Sequence, residues 1–513
     1  MSRVKKTLIN ARVNIVFYAI SMVVAFFSRK IFLDYLGADF VGLTGTLYGV
    51  LGFLNIAELG VSTAVGYTLY KPIFEKDNNE INKILSLLGY IYKKIAIIIL
   101  VLGILISFIF PWMFADTAFS FGVIYFAFFA FLTSSLIGYF FNFHQILLSS
   151  DQKNYIITKY YQGAFIIKLL VQIFLVYFFK NYYIWIVVEL VFAILYSIIL
   201  RKVVKKEYPY IETGLKVNIG ILNEYPEVIR KVKQIFVQKI AYFVLTGTDN
   251  ILIYFFANLK SVAYVGNYQV VISSIMTLTG NVFAGTSAAI GNVVVEGNIK
   301  NIKKIFWEMM VLRYFVASLL FITNYLLINK FIFLWLGDEY ILNEELLILM
   351  LIIMVLNQIR VPVMNYLNAY GLFSDVWASI AETLINLFIS LVFGYLWGIK
   401  GIFLGTIISM GLLVIFWKPY FLFKNAFKTG VLGYWISNFW LILPFLIVFP
   451  ISKVVFGKQI LEIETFMDWV LIAIQLVLFS SIFLMCLFFI FNKGFRDLSN
   501  RLINLINTKF LKK

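Results

Sequence analysis

The sequence predicts a polytopic α-helical integral membrane protein, and three observations support this fold class. Hydrophobic residues make up 62% of the 513 residues and charged residues only 13%, whereas soluble domains are about 45–50% apolar. The apolar runs last about 18 to 30 residues, the length of a helix that crosses the hydrocarbon layer. A membrane barrel is excluded because its strands would alternate in units of about ten residues. The chain is therefore expected to be all-α in the bilayer.

Polar breaks divide the chain into fourteen predicted spans. Six of them cover residues 8–33, 41–70, 84–110, 119–148, 155–179 and 182–200. After a polar segment, six more cover residues 234–257, 263–294, 306–329, 346–371, 377–397 and 401–417, and two further spans cover 434–450 and 469–491. The first span contains Arg12, Arg29 and Lys30 and has no small-residue cleavage site. We therefore expect it to be a retained helix and not a signal peptide.

Lysine and arginine are distributed unevenly between the two sides of these spans. The segments on the side of the N-terminus carry 27 of them, eight in the segment 201–233 alone, whereas the loops on the other side carry six. Positive residues favour the cytoplasmic side of short loops, so the pattern predicts cytoplasmic N- and C-termini. The net charge of +17 is accordingly a topology signal with attraction for anionic lipid headgroups, and no nucleic-acid partner is expected.

An internal repeat relates the two halves of the chain. The segment from Val41 to Gly66 matches the segment from Val265 to Gly291 in length and in the placing of its glycines. Because each half starts on the same side and has an even number of helices, the repeat is parallel. We expect two pseudo-symmetric six-helix bundles around a central cleft, plus two C-terminal helices. The corresponding segments are a first bundle at 1–200, a basic linker at 201–233, a second bundle at 234–430, two extra helices at 431–491 and a basic cytoplasmic tail at 492–513.

Four short motifs resemble those of a known transporter family. They are YLGADFVGL from Tyr35, AELGVSTAV from Ala57, TGTDNILI from Thr246 and YVGNYQ from Tyr264. A glycine-containing outer turn precedes a long second helix with an acidic-Leu-Gly-x-Ser element, and the seventh helix opens with an Asp. Over essentially the whole chain the sequence resembles the polysaccharide flippases, the O-antigen (Wzx-type) branch of the multidrug/oligosaccharidyl-lipid/polysaccharide (MOP) exporter superfamily.

The resemblance implies a role in the biosynthesis of surface polysaccharide such as the O-antigen of lipopolysaccharide. The implied activity is translocation of undecaprenyl-pyrophosphate-linked oligosaccharide from the inner to the outer leaflet of the bacterial cytoplasmic membrane by ion-coupled alternating access. Lipid-linked oligosaccharide and membrane lipids are the implied ligands, and the polysaccharide polymerase machinery is the implied protein partner.

Cationic side chains inside the predicted spans are candidate ligands for a pyrophosphate group. A charge at the centre of a membrane helix costs about 2.5–3.5 kcal/mol on insertion scales, so it needs a partner, a wet cavity or a route to the interface. Arg29, Arg313 and Arg360 are the main candidates because a planar guanidinium grips two phosphate oxygens at once. For Arg29, snorkelling to the outer boundary is the alternative. Lys168 either faces the cleft or pairs with Glu189.

Acidic, amide and hydroxyl side chains inside the spans are candidate ligands for a coupling ion. They are Glu58, Asp249, Asn250, Glu382, Asn386 and Thr406. Related flippases place a sodium site between their seventh, eleventh and twelfth helices, and the resemblance carries it onto Asp249, Glu382, Asn386 and Thr406. Carboxylate and amide oxygens suit a hard cation such as Na⁺, and a proton bound by Glu58 is the other hypothesis. The structural alternatives are a salt bridge at Asp249 and a helix-packing hydrogen bond at Glu58. No other cofactor is expected.

Other functional classes are less consistent with the sequence. The chain has no G-x-x-x-x-G-K-[ST] phosphate loop and no H-E-x-x-H zinc motif, and its predicted outer loops are too short for a catalytic domain. We therefore expect a transporter and not an enzyme, with a membrane-embedded glycosyltransferase or polymerase as the remote alternative. The nearer alternative is a cation-coupled multidrug exporter of the same superfamily. Intramembrane arginines disfavour it, because a cationic cleft repels cationic drugs.

Overall fold

The computed structural model describes residues 3–54, 61–212, 226, 247–283, 290–291, 293–294, 296–372 and 374–510, and all regular structure in these ranges is helical. The first helices are α1 (Arg3–Leu36), α2 (Ala38–Leu54), α3 (Val61–Glu75), α4 (Asn78–Ser107), α5 (Phe110–Met113), α6 (Phe121–Phe141), α7 (Gln145–Ser150), α8 (Asn154–Phe179) and α9 (Tyr182–Glu207). They are followed by α10 (Asp249–Phe256), α11 (Leu259–Val282), α12 (Ile299–Leu336), α13 (Glu344–Ala369), α14 (Val376–Trp397), α15 (Ile399–Met410), α16 (Lys418–Leu422), α17 (Leu432–Leu461), α18 (Phe466–Phe491) and α19 (Lys493–Phe510).

Eleven helices in the described part are long and apolar enough to cross a membrane. They correspond to eleven of the fourteen predicted spans, and the predicted all-helical membrane fold is confirmed. The other three predicted spans, 41–70, 234–257 and 263–294, each include residues outside the described ranges. Several helices extend beyond the predicted limits, since at 1.5 Å per residue the 38 residues of α12 measure about 57 Å against a hydrocarbon layer of about 30 Å.

The chain divides into two compact units, Met1–Ala263 and Tyr264–Lys513. In the first unit α1 packs along α8, α6 packs along α9, and α10 packs against α2. In the second unit α14 packs along α15, while α12 contacts α13, α17, α18 and α19. The long helix α12 is therefore the central element of the second unit.

The predicted twelfth span continues past its expected end at residue 417. The segment Gly411–Trp417 is π-helical, and α16 and a second π-helical segment, Phe423–Phe427, follow without a break. Lys418 and Pro419 look like a helix terminus in the sequence. In the structure Lys418 Nζ donates to Asp375 Oδ2 at 2.6 Å, so its charge is compensated, and Pro419 lies inside the continuous helical run, just after the first π-helical segment.

The predicted basic tail contains an amphipathic helix, α19. Its apolar residues recur at positions 495, 498, 502 and 505, the spacing of one helix face. Two ion pairs join α19 to α12: Lys304 Nζ lies 3.3 Å from Asp497 Oδ1, and Arg501 Nη2 lies 3.2 Å from Glu308 Oε1. The tail is therefore part of the folded second unit and not only a charged extension.

An ionic cluster closes the turn between α7 and α8 onto the end of α9. Lys153 Nζ lies 3.1 Å from both Asp151 Oδ2 and Glu207 Oε2, and the Tyr208 hydroxyl donates to Asp151 at 2.9 Å. Burial opposes the charge of Lys153, but hydrogen bonds to Asp151 and Glu207 outweigh it and raise the pKa of the ammonium. The cluster fixes the ends of three helices of the first unit.

Two glycines set the close approach of α15 to α14. A Cβ atom on Gly405 would lie 2.6 Å from the backbone nitrogen of Ser390, and one on Gly401 would lie 2.7 Å from the backbone nitrogen of Gly394. Backbone atoms cannot move aside as a flexible side chain can. Small residues are what allow membrane helices to approach this closely.

This packing predicts that a Gly→Ala substitution destabilises the protein at Gly405 but not at a glycine with open space around it. Gly405→Ala is expected to lower the free energy of unfolding by about 1–3 kcal/mol, because the added methyl group overpacks the α14–α15 contact. The thermal unfolding midpoint in detergent would measure the loss.

Gly457→Ala is the matched control, since Gly457 lies within α17 and a Cβ atom there meets no atom within 4 Å. It is expected to leave the midpoint unchanged or to raise it slightly. Equal midpoints for the two variants would mean that α14 and α15 are not packed as described.

Candidate functional site

Arg313 is a buried cation held by a neutral amide. It lies on α12 with 5% of its surface exposed, and its Nη1 donates to Gln358 Oε1 at 2.8 Å. The guanidinium carbon lies 4.3 Å from the ring centroid of Phe283. Among the described residues no carboxylate lies within ion-pairing distance of Arg313. A buried cation without a counter-ion is costly, which makes this position attractive to an anionic ligand.

Gln358 is itself fixed in orientation. It lies on α13 with 2% of its surface exposed, and its Nε2 donates to the Met276 sulfur at 3.0 Å. The side-chain carbonyl is therefore directed at Arg313, and the ring of Phe283 supports the guanidinium by a cation–π contact. The arginine is held in one place although no acidic residue pairs with it in the described part.

The second arginine of this unit, Arg360, lies in a charge-balanced cluster. It lines a narrow crevice together with Glu382 and Lys418. Lys418 in turn pairs with Asp375 at 2.6 Å, and Trp417 Nε1 donates to the same carboxylate oxygen at 3.2 Å. Two cations and two carboxylates thus lie close together, and the local charge is already compensated.

A cluster of oxygen atoms lies between α14 and α15. Asn386 Nδ2 donates to Thr406 Oγ1 at 3.0 Å and to Ser409 Oγ at 3.3 Å. Both hydroxyls donate onward to carbonyl oxygens of their own helix. The side-chain oxygen of Asn386 and Oε1 of Glu382 are buried and accept no hydrogen bond from the described residues. These two atoms lie one helical turn apart in sequence, on one face of α14.

The residues of this cluster fit a hard monovalent cation. Amide, hydroxyl and carboxylate oxygens are the ligands that such a cation prefers, and two of them are acceptors without a donor among the described residues. Arg360 and Lys418 lie beside Glu382 and reduce the attraction of its carboxylate for a cation. The described residues include no group of three or more His, Cys, Asp or Glu side chains that would hold a multivalent metal.

In the first unit Lys168 and Glu189 form an ion pair. Lys168 Nζ lies 2.9 Å from Glu189 Oε2, and Gln172 Nε2 donates to the other carboxylate oxygen at 3.1 Å. The pair lines a cavity of about 450 Å³ between α4, α6, α8 and α9. Of the two sequence-based alternatives for Lys168, pairing with Glu189 is the one that the structure contains.

The remaining candidates are distributed along α1, α2 and α10. Arg29 is half-buried and its Nη2 donates to the carbonyl oxygen of Ala263 at 3.1 Å, whereas Lys30 is exposed. Asn250 Nδ2 donates to the carbonyl of Gly45 at 3.4 Å, and Asp249 begins α10 with no ion pair among the described residues. The structure places Asp249 and Asn250 in the first unit, whereas Glu382, Asn386 and Thr406 belong to the second. Glu58 lies outside the described residues.

Three contributors escaped the sequence analysis. Gln358 and Phe283 hold Arg313, and Ser409 completes the oxygen cluster. Ser409 carried a usable signal, because it lies three residues after Thr406 on the same helix and the two therefore share a face. Gln358 and Phe283 carried none, since their role depends on which faces of α11, α12 and α13 meet.

Comparisons with known proteins show what fold these two units have. No protein-family model matches the sequence, and no curated protein matches it either. Among solved structures, the lipid II flippase MurJ in an inward closed conformation superposes with a TM-score of 0.68 and 18% identity, over 93% of this chain and 99% of that chain. An inward-facing multidrug resistance MATE family transporter of the MOP superfamily gives a TM-score of 0.58 and 13% identity, over 82% of this chain and 99% of that chain.

An outward-facing MATE transporter gives a TM-score of 0.52 at 14% identity, over 83% of this chain and 97% of that chain. These neighbours are flippases and transporters, and their likeness at such low identity concerns the fold. The protein is a multi-pass membrane protein with the fold that MurJ shares with the MATE transporters of the MOP superfamily.

Proposed function

We propose that the protein is a flippase that moves undecaprenyl-pyrophosphate-linked oligosaccharide from the inner to the outer leaflet of the bacterial cytoplasmic membrane. The observation that carries this proposal is the buried Arg313, which lacks a counter-ion among the described residues. A pyrophosphate that leaves water needs compensating cations, and a guanidinium offers donors in a planar fork. The lipid tail stays in the bilayer while the charged headgroup and the glycan pass through the protein.

The other cations of the predicted set are less suited to this role. Lys168 is paired with Glu189, and Arg360 shares its crevice with Glu382. Lys168 would have to break its ion pair before it binds phosphate, and the carboxylate of Glu382 would oppose an anion bound beside Arg360. Arg313 would exchange only a neutral amide, so binding of an anion there removes an energetic penalty without breaking an ion pair.

The similarity of fold to MurJ also supports the flippase proposal. The superposition with the lipid II flippase MurJ covers 93% of this chain, whereas the superpositions with the two MATE transporters cover 82% and 83%. The multidrug exporter remains the second candidate, because the MATE transporters share the fold. Substrate charge separates the two, since an unpaired buried arginine attracts an anion and repels a cationic drug.

Ion-coupled alternating access is the proposed source of directionality. The oxygen cluster of Glu382, Asn386, Thr406 and Ser409 is the proposed place for Na⁺ in the second unit. A role of Asp249, which belongs to the first unit, stays a prediction from the family resemblance alone. A proton on Glu382 is the alternative, because that carboxylate is buried and one of its oxygens accepts no hydrogen bond from the described residues.

Arg313→Met is expected to reduce transport strongly while leaving the protein folded. Loss of a hydrogen bond from a charged donor costs about 1.5–3 kcal/mol, which corresponds to roughly a tenfold to hundredfold loss of substrate affinity. The thermal midpoint is expected to stay close to wild type, because methionine replaces a buried charge by an apolar side chain of similar length. Leaflet accessibility of a fluorescent undecaprenyl-pyrophosphate oligosaccharide in proteoliposomes measures the transport.

The exposed Arg201 supplies the matched control, and Arg201→Met is expected to transport at the wild-type rate. If wild-type protein moves no lipid-linked oligosaccharide but expels cationic drugs, the drug-exporter function replaces the proposal. Normal transport by Arg313→Met would remove Arg313 from the site and leave the flippase proposal without its main support.

Sodium is expected to stabilise the wild-type protein and to drive its transport. At about 100 times its Kd the ion would stabilise the folded state by about 2.7 kcal/mol. Asn386→Leu removes an amide oxygen that accepts no described donor, so it is expected to cancel both effects. Thermal unfolding in sodium and in choline chloride, together with flipping under a sodium gradient, measures them.

Asn324→Leu is the matched control, since Asn324 is a buried asparagine of α12 that donates to its own helix at 2.8 Å, away from the oxygen cluster. It is expected to keep the response to sodium. Transport that follows a pH gradient, ignores sodium and disappears in Glu382→Gln would assign coupling to a proton instead.

A further inference from the structure

The second unit contains a cavity that Arg313 does not line. The cavity measures about 550 Å³ and lies where the first turns of α12, the first half of α17, the end of α18 and the start of α19 meet. Its lining includes Lys300, Lys303, Lys304, Trp307, Asn492 and Lys493. All of these elements belong to one compact unit.

The cavity is strongly basic. Four lysines line it against one acidic residue, Asp497, which pairs with Lys304 at 3.3 Å. Lys303 donates to the Thr429 hydroxyl at 3.4 Å. Lys300 and Lys493 are exposed and form no ion pair with a described residue. The cavity therefore carries an excess of positive charge, which the described carboxylates do not fully neutralise.

One buried polar group at the cavity also lacks a partner. Asn492 joins α18 to α19 with 7% of its surface exposed, and its Nδ2 donates to no acceptor among the described residues. Asn492 is one of the residues that line the cavity, and its Nδ2 atom is buried. A buried amide donor without an acceptor costs about 1–3 kcal/mol, which an oxygen-rich ligand in the cavity would recover.

The remaining walls are aromatic and apolar. Trp307 is half-buried, whereas Trp440 and Phe491 are exposed. Tryptophan is enriched at the level of lipid headgroups, where one part of the ring is in contact with hydrocarbon and the N–H is hydrated. The cavity thus combines lysines with aromatic rings of the type that is enriched at the level of lipid headgroups.

We propose that this cavity binds the phosphate headgroup of an anionic phospholipid at the side of the membrane that the lysine and arginine distribution predicts to be cytoplasmic. The lysines attract the phosphate, Asn492 donates to one of its oxygens, and the tryptophans contact the glycerol region. Basic pockets between membrane helices on this side are typical sites for such lipids. Because α19 forms one wall, the bound lipid fastens that helix to α12 and α17.

The test is lipid binding to the purified full-length chain in detergent. Native mass spectrometry and thermal unfolding are measured with phosphatidylglycerol, with phosphatidylcholine of the same acyl chains and with inorganic phosphate. Phosphatidylglycerol is expected to bind and to raise the midpoint, and the other two are expected to do neither. Removal of two lysines in Lys300→Gln/Lys493→Gln is expected to weaken binding about thirtyfold, and Asn492→Leu about tenfold.

The control variant Lys93→Gln/Lys94→Gln removes the same charge from two exposed lysines of the first unit and is expected to bind like wild type. Restored binding in Lys300→Arg/Lys493→Arg shows that the cavity variants lose charge and not fold. Three results would overturn the lipid site. They are a loss of phosphatidylglycerol binding in the control variant equal to that in Lys300→Gln/Lys493→Gln, binding of phosphatidylcholine as tight as that of phosphatidylglycerol, and wild-type binding by Asn492→Leu. If inorganic phosphate alone stabilises the protein, the cavity is a general anion site and the lipid proposal is wrong. If undecaprenyl pyrophosphate binds more tightly than phosphatidylglycerol, the cavity is a substrate site instead.

Discussion

Compensation of buried charge is the constraint on which the rest of this molecule depends. Inside a helical bundle in a bilayer, an ionised side chain without a partner costs several kcal/mol, so each one must be matched within the protein or by a ligand. Lys168 is matched by Glu189 and Lys418 by Asp375, each within 3 Å. Arg313 is matched only by an amide and an aromatic ring in the described part. The contrast distinguishes the lysines that are paired with carboxylates from Arg313, which is held by neutral groups in the described part.

Close helix packing is the second constraint on this molecule. Gly401 and Gly405 bring α15 so near α14 that short side chains from the two helices reach one another. Asn386, Thr406 and Ser409 form their oxygen cluster for this reason, since larger residues at the glycine positions would separate the two backbones. The requirement for small residues and the presence of a polar cluster are therefore two aspects of one helix contact.

The sequence analysis recovered the fold class and most helix limits, because long apolar runs and the charge of the loops carry that information locally. It also named Asn386 and Thr406, which the structure joins by a hydrogen bond, although only the family resemblance linked these two positions. It did not recover the partners of Arg313, because contacts between helices depend on helix rotation, which apolar periodicity hardly defines when most faces are hydrophobic. The end of the twelfth span was misplaced for a similar reason. The compensation of Lys418 by Asp375, 43 residues earlier, is invisible to local composition.

The uninterrupted length of α12 has a mechanical consequence. Arg313 is the fifteenth of its 38 residues, which places it about 7 Å from the helix midpoint at 1.5 Å per residue, whereas each end is about 28 Å away. A rigid rod that pivots near its centre carries its ends through four times the arc of a point so close to the fulcrum. For any rigid tilt of α12 about its midpoint, the guanidinium would therefore move through about a quarter of the arc that each helix end describes.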